Sequence, residues 1–200
     1  MIVAVEGPSA SGKTTWCRRQ PWPVVAEYSP TGSEPDGSDE ALRAAYWVGV
    51  NSARWQQAVE LAAAHEVVLC DGDPMKLHYS WGLARISAVP WSRFECELRY
   101  TREALADGRL GMADLLLVSV PPADVLRARR VADPTRRRRS FDVHVELAGP
   151  LREWYTVVEQ ADPGGVVWAW PAGGVPFESS KRRRLGSLAL LDRVVELLPR

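Results

Sequence analysis

The chain has 200 residues, a length that suits one α/β domain with a core on both faces of a sheet. Hydrophobic residues make up 46% and charged residues 25%, which argues against global disorder, and the net charge of zero gives no overall field toward nucleic acid or membrane. The three cysteines form no CxxC pair, and neither a signal peptide nor a run of about 18 apolar residues is present, so we expect a cytoplasmic protein with reduced thiols.

Apolar runs alternate with helical patterns along the chain, which is typical of parallel strands joined by helical crossovers. In chain order the first half predicts a strand over 2–6, a helix to about 19, a strand over 24–26, a loop over 29–38, a helix over about 39–64 and a strand over 66–70. The second half predicts helices over about 77–107 with a break near Pro90, a strand over 115–120, a helix from Pro121-Pro122 to about 130, a loop over 131–140, a helix over 142–161, a strand over 166–170, a loop over 171–180 and a helix over about 187–198. We therefore expect a single domain over 1–200, in three layers, with a central five-stranded parallel sheet.

A phosphate-binding motif, GPSASGKT at residues 7–14, lies between the first predicted strand and the first helix. Gly7 and Gly12 permit backbone conformations in which successive N–H groups face one centre, and the helix N-terminus adds to that anion site. Lys13 supplies a mobile charge for the β- and γ-phosphates, and Thr14 offers a hydroxyl to magnesium. The predicted ligands of ATP in this segment are Gly7, Ser9, Ala10, Ser11, Gly12, Lys13, Thr14 and Thr15.

The stretch VEGPSASGKTT, residues 5–15, resembles the opening of the deoxynucleoside and thymidylate kinases among the P-loop kinases, with antibiotic kinases as close relatives. Residues 24–27, VVAE, resemble the second strand of the deoxynucleoside kinases, which implies that Glu27 is the general base. A later arginine-rich segment resembles their lid. The resemblance implies a P-loop fold and an ATP- and Mg²⁺-dependent transfer of the γ-phosphoryl group to a small molecule, with a nucleoside or nucleotide as first choice.

Acidic residues follow two of the predicted strands, at the sheet edge where open parallel sheets bind ligands. Asp71 or Asp73 could organise the magnesium shell, and we favour Asp73 for a catalytic role over a turn-forming Asp before Pro74. For Glu27, a general base and a merely solvated side chain both stay open. Deoxynucleoside kinases usually carry an arginine after this acid, and Arg85 is a candidate for the missing charge.

Seven arginines lie between residues 127 and 140, ahead of the fifth predicted strand. Such charge density is electrostatically costly unless an anion is expected, so we interpret the segment as a lid that closes over the triphosphate. Arg130 and Arg136 are the predicted catalytic arginines, and Arg138 is a predicted ATP ligand. A solvated basic surface and an RNA-binding patch are the alternatives, and the absence of aromatic residues in 127–140 disfavours RNA.

Nine tryptophans are many for 200 residues, and several aromatic residues follow the second and third predicted strands. They could stack on a flat acceptor, with Tyr28 or Arg85 fixing its polar edge, or they could simply fill the core. The aromatic candidates are Trp47, Trp55, His78, Tyr79 and Trp81.

Other functions remain open at this point. The same chemistry would serve an O-phosphotransferase acting on an antibiotic or another specialised metabolite. A P-loop NTPase acting as a switch would use water as acceptor, although the chain lacks an NKxD-like guanine signature. A binding protein with a degenerate site is disfavoured by the intact Lys13-Thr14. We expect a small-molecule acceptor as partner and neither nucleic acid nor membrane. A homodimer is possible, but the sequence does not set the oligomeric state.

Overall fold

The structure is a computed structural model that describes residues 1–35, 37–132, 141–176 and 186–199. Five parallel strands form one sheet in the order β2-β3-β1-β4-β5. The strands are β1 (Ile2–Glu6), β2 (Val24–Val25), β3 (Val68–Asp71), β4 (Leu115–Val118) and β5 (Val166–Val167). The expected α/β class and five-stranded parallel sheet are confirmed.

Eight helices flank the sheet within the described residues. They are α1 (Lys13–Cys17), α2 (Glu40–Ala62), α3 (Leu77–Arg85), α4 (Trp91–Ala106), α5 (Ala123–Ala132), α6 (Phe141–Glu146), α7 (Ala148–Ala161) and α8 (Ser187–Leu197). Asp39 caps α2, because its side chain accepts hydrogen bonds from the first backbone N–H groups of the helix. None of these helices combines the length and the apolarity that crossing a bilayer requires.

Several boundaries differ from the sequence prediction. The helix expected over 142–161 is two helices that meet at Leu147, and the strand expected over 166–170 ends at Val167. Helix α5 continues to Ala132, so Arg129 and Arg130 lie on a helix next to the expected lid loop. Residues 133–140, most of that loop, lie outside the described residues.

The core lies on both faces of the sheet, as a three-layer fold requires. Successive side chains of β1 alternate between the two faces: Ile2 and Ala4 join a large cluster, whereas Val3 and Val5 join a smaller one. The large cluster contains Trp81, Trp154 and Tyr155 from α3 and α7, among other residues. Because β1 is central and its strand is buried throughout, the loop after Glu6 emerges at the middle of the carboxyl edge.

Candidate active site

The loop after β1 has the backbone geometry of an anion cradle. A Cβ atom on Gly7 would lie 2.4 Å from the backbone oxygen of Ser119, so only glycine fits there. Gly12 has φ +101°, a conformation that favours glycine, and it precedes the first residue of α1. A turn between these glycines is closed by the Ser11 N–H, which donates to the Pro8 carbonyl at 3.1 Å. The two motif glycines are therefore required by geometry.

Glu6, a residue that the sequence reading did not single out, lies at the centre of the site. Its carboxylate is buried at the end of β1 and accepts hydrogen bonds from the backbone N–H groups of Gly7 at 2.8 Å and Asp73 at 3.0 Å. The ammonium groups of Lys13 and Lys76 lie 3.6 and 3.7 Å from its oxygens. Burial would raise the pKa of Glu6, but these two charges hold it well below its usual range. Glu6 therefore carries a negative charge that holds two lysines beside the phosphate loop.

Lys13 reaches back across the phosphate loop. Its ammonium group donates to the Gly7 carbonyl at 2.7 Å, and the side chain is buried. The lysine of the motif thus lies over the cradle that the loop amides form. Its position agrees with the role that the motif predicts, which remains a prediction.

Lys76 and Glu27 form an ion pair at the mouth of the site. The Lys76 ammonium donates to Glu27 Oε1 at 2.9 Å. Burial would raise the pKa of Glu27, but the charge of Lys76, followed by that of Lys13, lowers it to about 2. Lys76 also has a left-handed backbone, with φ 51°, immediately before α3. Glu27 is therefore an oriented carboxylate, and Lys76, rather than Arg85, supplies the cation beside it.

Arg85 does not join this site. Its guanidinium pairs with Glu153 at 3.1 Å, and both side chains are about 40% exposed, at 37% and 43%. From the sequence, Arg85 is a candidate for the missing cation near the acceptor. In the structure Lys76 has that position, nine residues earlier in the chain.

Asp71 and Thr14 are adjacent, as a magnesium site requires. Asp71 ends β3 with its side chain buried, and its Oδ1 atom has no hydrogen-bond partner within the described residues. Burial raises the pKa of Asp71, and a hydrogen bond from the Thr14 hydroxyl counters this. Arg54 fixes the turn behind it by donating to the Asp71 and Gly72 carbonyl oxygens at 2.9 and 3.0 Å.

These two residues fit a magnesium ion of the P-loop kind. Within the described residues no group of three or more His, Cys, Asp or Glu side chains converges on one point. Mg²⁺ in phosphoryl-transfer sites, however, keeps several waters and phosphate oxygens and needs only one or two protein groups. The unpartnered Asp71 oxygen and the Thr14 hydroxyl meet that requirement.

Asp73 has a different environment. Its Oδ1 accepts from the Met75 N–H at 3.0 Å, and its Oδ2 accepts from the Tyr155 hydroxyl at 3.1 Å. The Tyr155 hydroxyl also contacts His78 Nδ1 at 3.2 Å. Burial raises the pKa of Asp73 to about 6 and lowers that of His78 to about 4. Both carboxylate oxygens of Asp73 are thus engaged by the protein itself, in a network that ties the turn after β3 to α7.

The part of the expected lid that lies on α5 contacts the phosphate loop. Arg129 donates from its guanidinium to the Ser11 carbonyl. Arg130 instead lies over the Phe141 ring at 4.6 Å and 3.8 Å from the Asp142 carboxylate. The sequence does not show which side of α5 faces the phosphate loop, so it cannot distinguish Arg129 from Arg130. The other two predicted lid residues, Arg136 and Arg138, lie outside the described residues.

A cavity of about 490 Å³ opens beside the phosphate loop. Its polar lining at the loop side includes Glu6, Lys13, Glu27 and Lys76. Helices α2, α3, α4, α6 and α7 supply the remaining walls, which include Trp47, Val50, Asn51, Arg54, His78, Tyr79, Arg93, Glu97, His144, Leu147 and Leu151. The volume lies in the range of small-molecule sites.

The aromatic candidates divide between this cavity and the core. Tyr28, Trp47, His78 and Tyr79 line the cavity. Trp81 is buried in the large core cluster, and Trp55 packs against the same cluster. Sequence periodicity alone does not separate the two groups, because one helix can contribute to both the cavity and the core. Trp47 and Trp55 share α2, and Tyr79 and Trp81 share α3.

Comparison with known proteins finds similarity of structure without similarity of sequence. No family model matches the chain, and no curated protein matches its sequence. A structure of deoxyadenosine kinase from M. mycoides with dCMP and dCDP matches with a TM-score of 0.57 and 11% identity, covering 98% of this chain and 99% of that one. The same enzyme with dCTP matches with a TM-score of 0.56 and 10% identity over 98% and 100% of the two chains. With dATP the TM-score is 0.52 and the identity 12%, over 84% and 91%. The chain therefore has the fold of a deoxynucleoside kinase over nearly its whole length.

Proposed function

From this fold and this site, we propose that the protein is an ATP- and magnesium-dependent kinase that transfers the γ-phosphoryl group to a small hydroxylated or phosphorylated molecule. A nucleoside or nucleotide is the first choice of acceptor. One observation carries the proposal: the phosphate loop and the Glu27–Lys76 pair line the same cavity. An NTPase switch that uses water as acceptor needs no cavity of about 490 Å³ at that position.

Thr14 and Asp71 would hold the magnesium ion, for which the unpartnered Asp71 oxygen is the supporting observation. When bound, the metal would neutralise charge on the β- and γ-phosphates. This assignment prefers Asp71 to Asp73, which the sequence reading favoured, because both oxygens of Asp73 already accept hydrogen bonds from the protein. Lys13 would move from the Gly7 carbonyl to the phosphates, a short displacement for a flexible side chain.

Glu27 would orient the acceptor. Its low pKa, about 2, keeps it ionised at neutral pH, and Lys76 holds one of its oxygens. The acceptor hydroxyl would donate a hydrogen bond to this carboxylate while its oxygen attacks the γ-phosphorus. As the new O–P bond forms, the bond from the γ-phosphorus to the β,γ-bridging oxygen breaks, ADP departs, and Glu27 takes the proton. In a loose transition state a weak base suffices, because the proton moves late and positioning dominates.

The described lid arginine that best fits contact with the transferred group is Arg129, since it already touches the phosphate loop. Arg130, Arg136 and Arg138 stay predictions for the same role. Positive charge that approaches the γ-phosphate as the lid closes would stabilise the charge that develops in transfer.

A phosphotransfer screen tests the proposal. ATP and Mg²⁺ are supplied with panels of nucleosides, nucleotides and hydroxylated metabolites, including antibiotics, and both ADP and phosphorylated product are measured. We expect at least one acceptor to be phosphorylated, with turnover lost in Lys13→Ala and Asp71→Asn. Arg85→Gln is the matched control, because that residue pairs with Glu153 outside the cavity. Equal turnover in all three variants would refute the assignment.

A further inference from the structure

A cluster of three charged residues, Arg43, Arg93 and Glu97, lies where α2 and α4 pack together. Arg93 Nε is 3.5 Å from Glu97 Oε1, and Arg43 Nε is 4.0 Å from the same oxygen. All three side chains are largely withdrawn from solvent, with exposures of 9%, 21% and 12% in the order named. Two guanidinium groups thus share one carboxylate oxygen at a position that is largely shielded from solvent.

The charges of this cluster do not cancel. Among the described residues Glu97 is the only carboxylate within 4.0 Å of either guanidinium group, so two positive charges share one negative charge. The buried Nε and Nη2 of Arg43 and the Nε of Arg93 have no hydrogen-bond partner within the described residues, although Arg43 Nη1 donates to the Gly37 carbonyl at 3.1 Å. Buried guanidinium groups are normally paired and hydrogen-bonded, because an uncompensated buried charge is costly.

The cluster reaches the cavity of the proposed active site. Arg93 and Glu97 both line that cavity, together with Lys13 and Glu27. Tyr79 lines the same cavity, and the charges of both Arg93 and Lys76 counter the rise that burial causes in its pKa. A molecule held at the phosphate loop can therefore extend to Arg93.

We propose that Arg93, supported by Arg43 and Glu97, is a subsite for a carboxylate group of the phosphoryl acceptor, remote from the hydroxyl that is phosphorylated. A carboxylate carries the single negative charge that the cluster lacks and matches the planar fork of a guanidinium. A phosphate group, with nearly two charges, would exceed the imbalance. The subsite deepens the proposed function and rests on it, since it defines the acceptor as a hydroxylated carboxylic acid, which includes a nucleoside carrying a carboxylate on its base.

Matched ligands test the subsite by binding alone, without ATP. The probes are 5-carboxy-2′-deoxyuridine, its carboxamide and unsubstituted 2′-deoxyuridine, together with benzoate and benzamide, measured by calorimetry and thermal shift. In the wild-type protein we expect a carboxylate to bind about tenfold more tightly than its amide, as for a charge-assisted hydrogen bond at a largely buried site. If no carboxylate binds more tightly than its amide, the subsite does not exist.

Variants separate recognition from packing. Arg93→Gln should abolish the preference for carboxylate over amide, Arg93→Lys should retain part of it, and Glu97→Gln should increase it by removing the competing internal carboxylate. Arg85→Gln, on the outer surface, should leave it unchanged. If Arg93→Gln and Arg93→Lys weaken both members of each pair equally, Arg93 only packs the cavity wall and the proposal is overturned.

The same variants distinguish this failure from failure of the proposed function. The carboxylate preference is also measured in Lys13→Ala, which should bind acceptors but not phosphorylate them. A preference without any phosphotransfer in the wild type would retain the subsite and overturn the kinase proposal. Phosphotransfer to neutral acceptors, with no tighter binding of carboxylates than of amides, would retain the kinase proposal and overturn the subsite.

Discussion

Replacement of Asp73 by asparagine should stabilise the protein at neutral pH. Asparagine is nearly isosteric, and its side-chain oxygen can still accept from the Met75 N–H. Its amide nitrogen would then donate to the Tyr155 oxygen, and the Tyr155 hydroxyl could donate to His78 Nδ1, which lies 3.2 Å away. The network therefore keeps its hydrogen bonds while a buried negative charge is removed.

The size of the effect follows from the pKa of Asp73. Burial raises this pKa from the usual 3.8 to about 6, because the ionised form is desolvated. The folded state therefore binds the proton more tightly than the unfolded state. Below pH 3.8, ionisation of Asp73 does not lower the free energy of unfolding. The loss grows between pH 3.8 and about 6 and is complete above that range. A difference of about 2 pKa units corresponds to about 3 kcal/mol, at about 1.4 kcal/mol per unit.

Urea unfolding at pH 4, 6 and 8 measures this directly. Relative to wild type, Asp73→Asn should raise the free energy of unfolding by up to about 3 kcal/mol at pH 8. The gain should fade toward pH 4, and phosphotransfer should be largely retained. Asp71→Asn is the matched comparison, because it removes the carboxylate assigned to magnesium and should lose turnover. If Asp73→Asn loses turnover as Asp71→Asn does, or is less stable than wild type at pH 8, the structural role given to Asp73 is refuted.

Three further results are expected. Glu27→Gln should lower kcat by ~10²-fold or more. In the wild type, kcat/KM should show no acid limb from Glu27 above pH 4, because a pKa lowered to about 2 leaves that base ionised. Lys76→Met should move this limb to higher pH, and a pH profile that Lys76→Met leaves unchanged would count against the ion pair. Gly7→Ala should abolish ATP binding in calorimetry, since its Cβ would lie 2.4 Å from a backbone oxygen, and normal affinity would contradict the cradle. Arg129→Gln should reduce kcat more than Arg130→Gln, and the reverse order in steady-state assays would return the lid role to Arg130.

The sequence predicts the fold well because its strongest signals are local. The phosphate motif lies between a continuous apolar strand and a helix, and the same strand–helix alternation recurs to the end of the chain. Where the prediction differs, a local signal explains the difference. Residues 142–161 read as one helix, yet the chain breaks at Leu147, because Pro150 has no N–H to donate to the Glu146 carbonyl.

The candidate site is harder to predict because it depends on the direction of single side chains. Asp71 and Asp73 are two residues apart, and only the structure separates the one with an unpartnered oxygen from the one with two bonded oxygens. Glu6 and Lys76 carry no motif of their own. An acidic residue that ends a buried strand next to a phosphate loop was the available signal for Glu6. No signal in the sequence pairs Lys76 with Glu27, 49 positions apart.

The fate of the γ-phosphoryl group tests the central claim most directly. With ATP, Mg²⁺ and the best acceptor from the screen in ¹⁸O-labelled water, mass spectrometry measures ADP, phosphorylated acceptor and free phosphate together. The account predicts one phosphorylated acceptor for each ADP, no ¹⁸O in the transferred phosphoryl group, and loss of both products in Lys13→Ala. Release of ¹⁸O-labelled phosphate at a rate that no acceptor changes would contradict it, and would identify the protein as a nucleotide hydrolase.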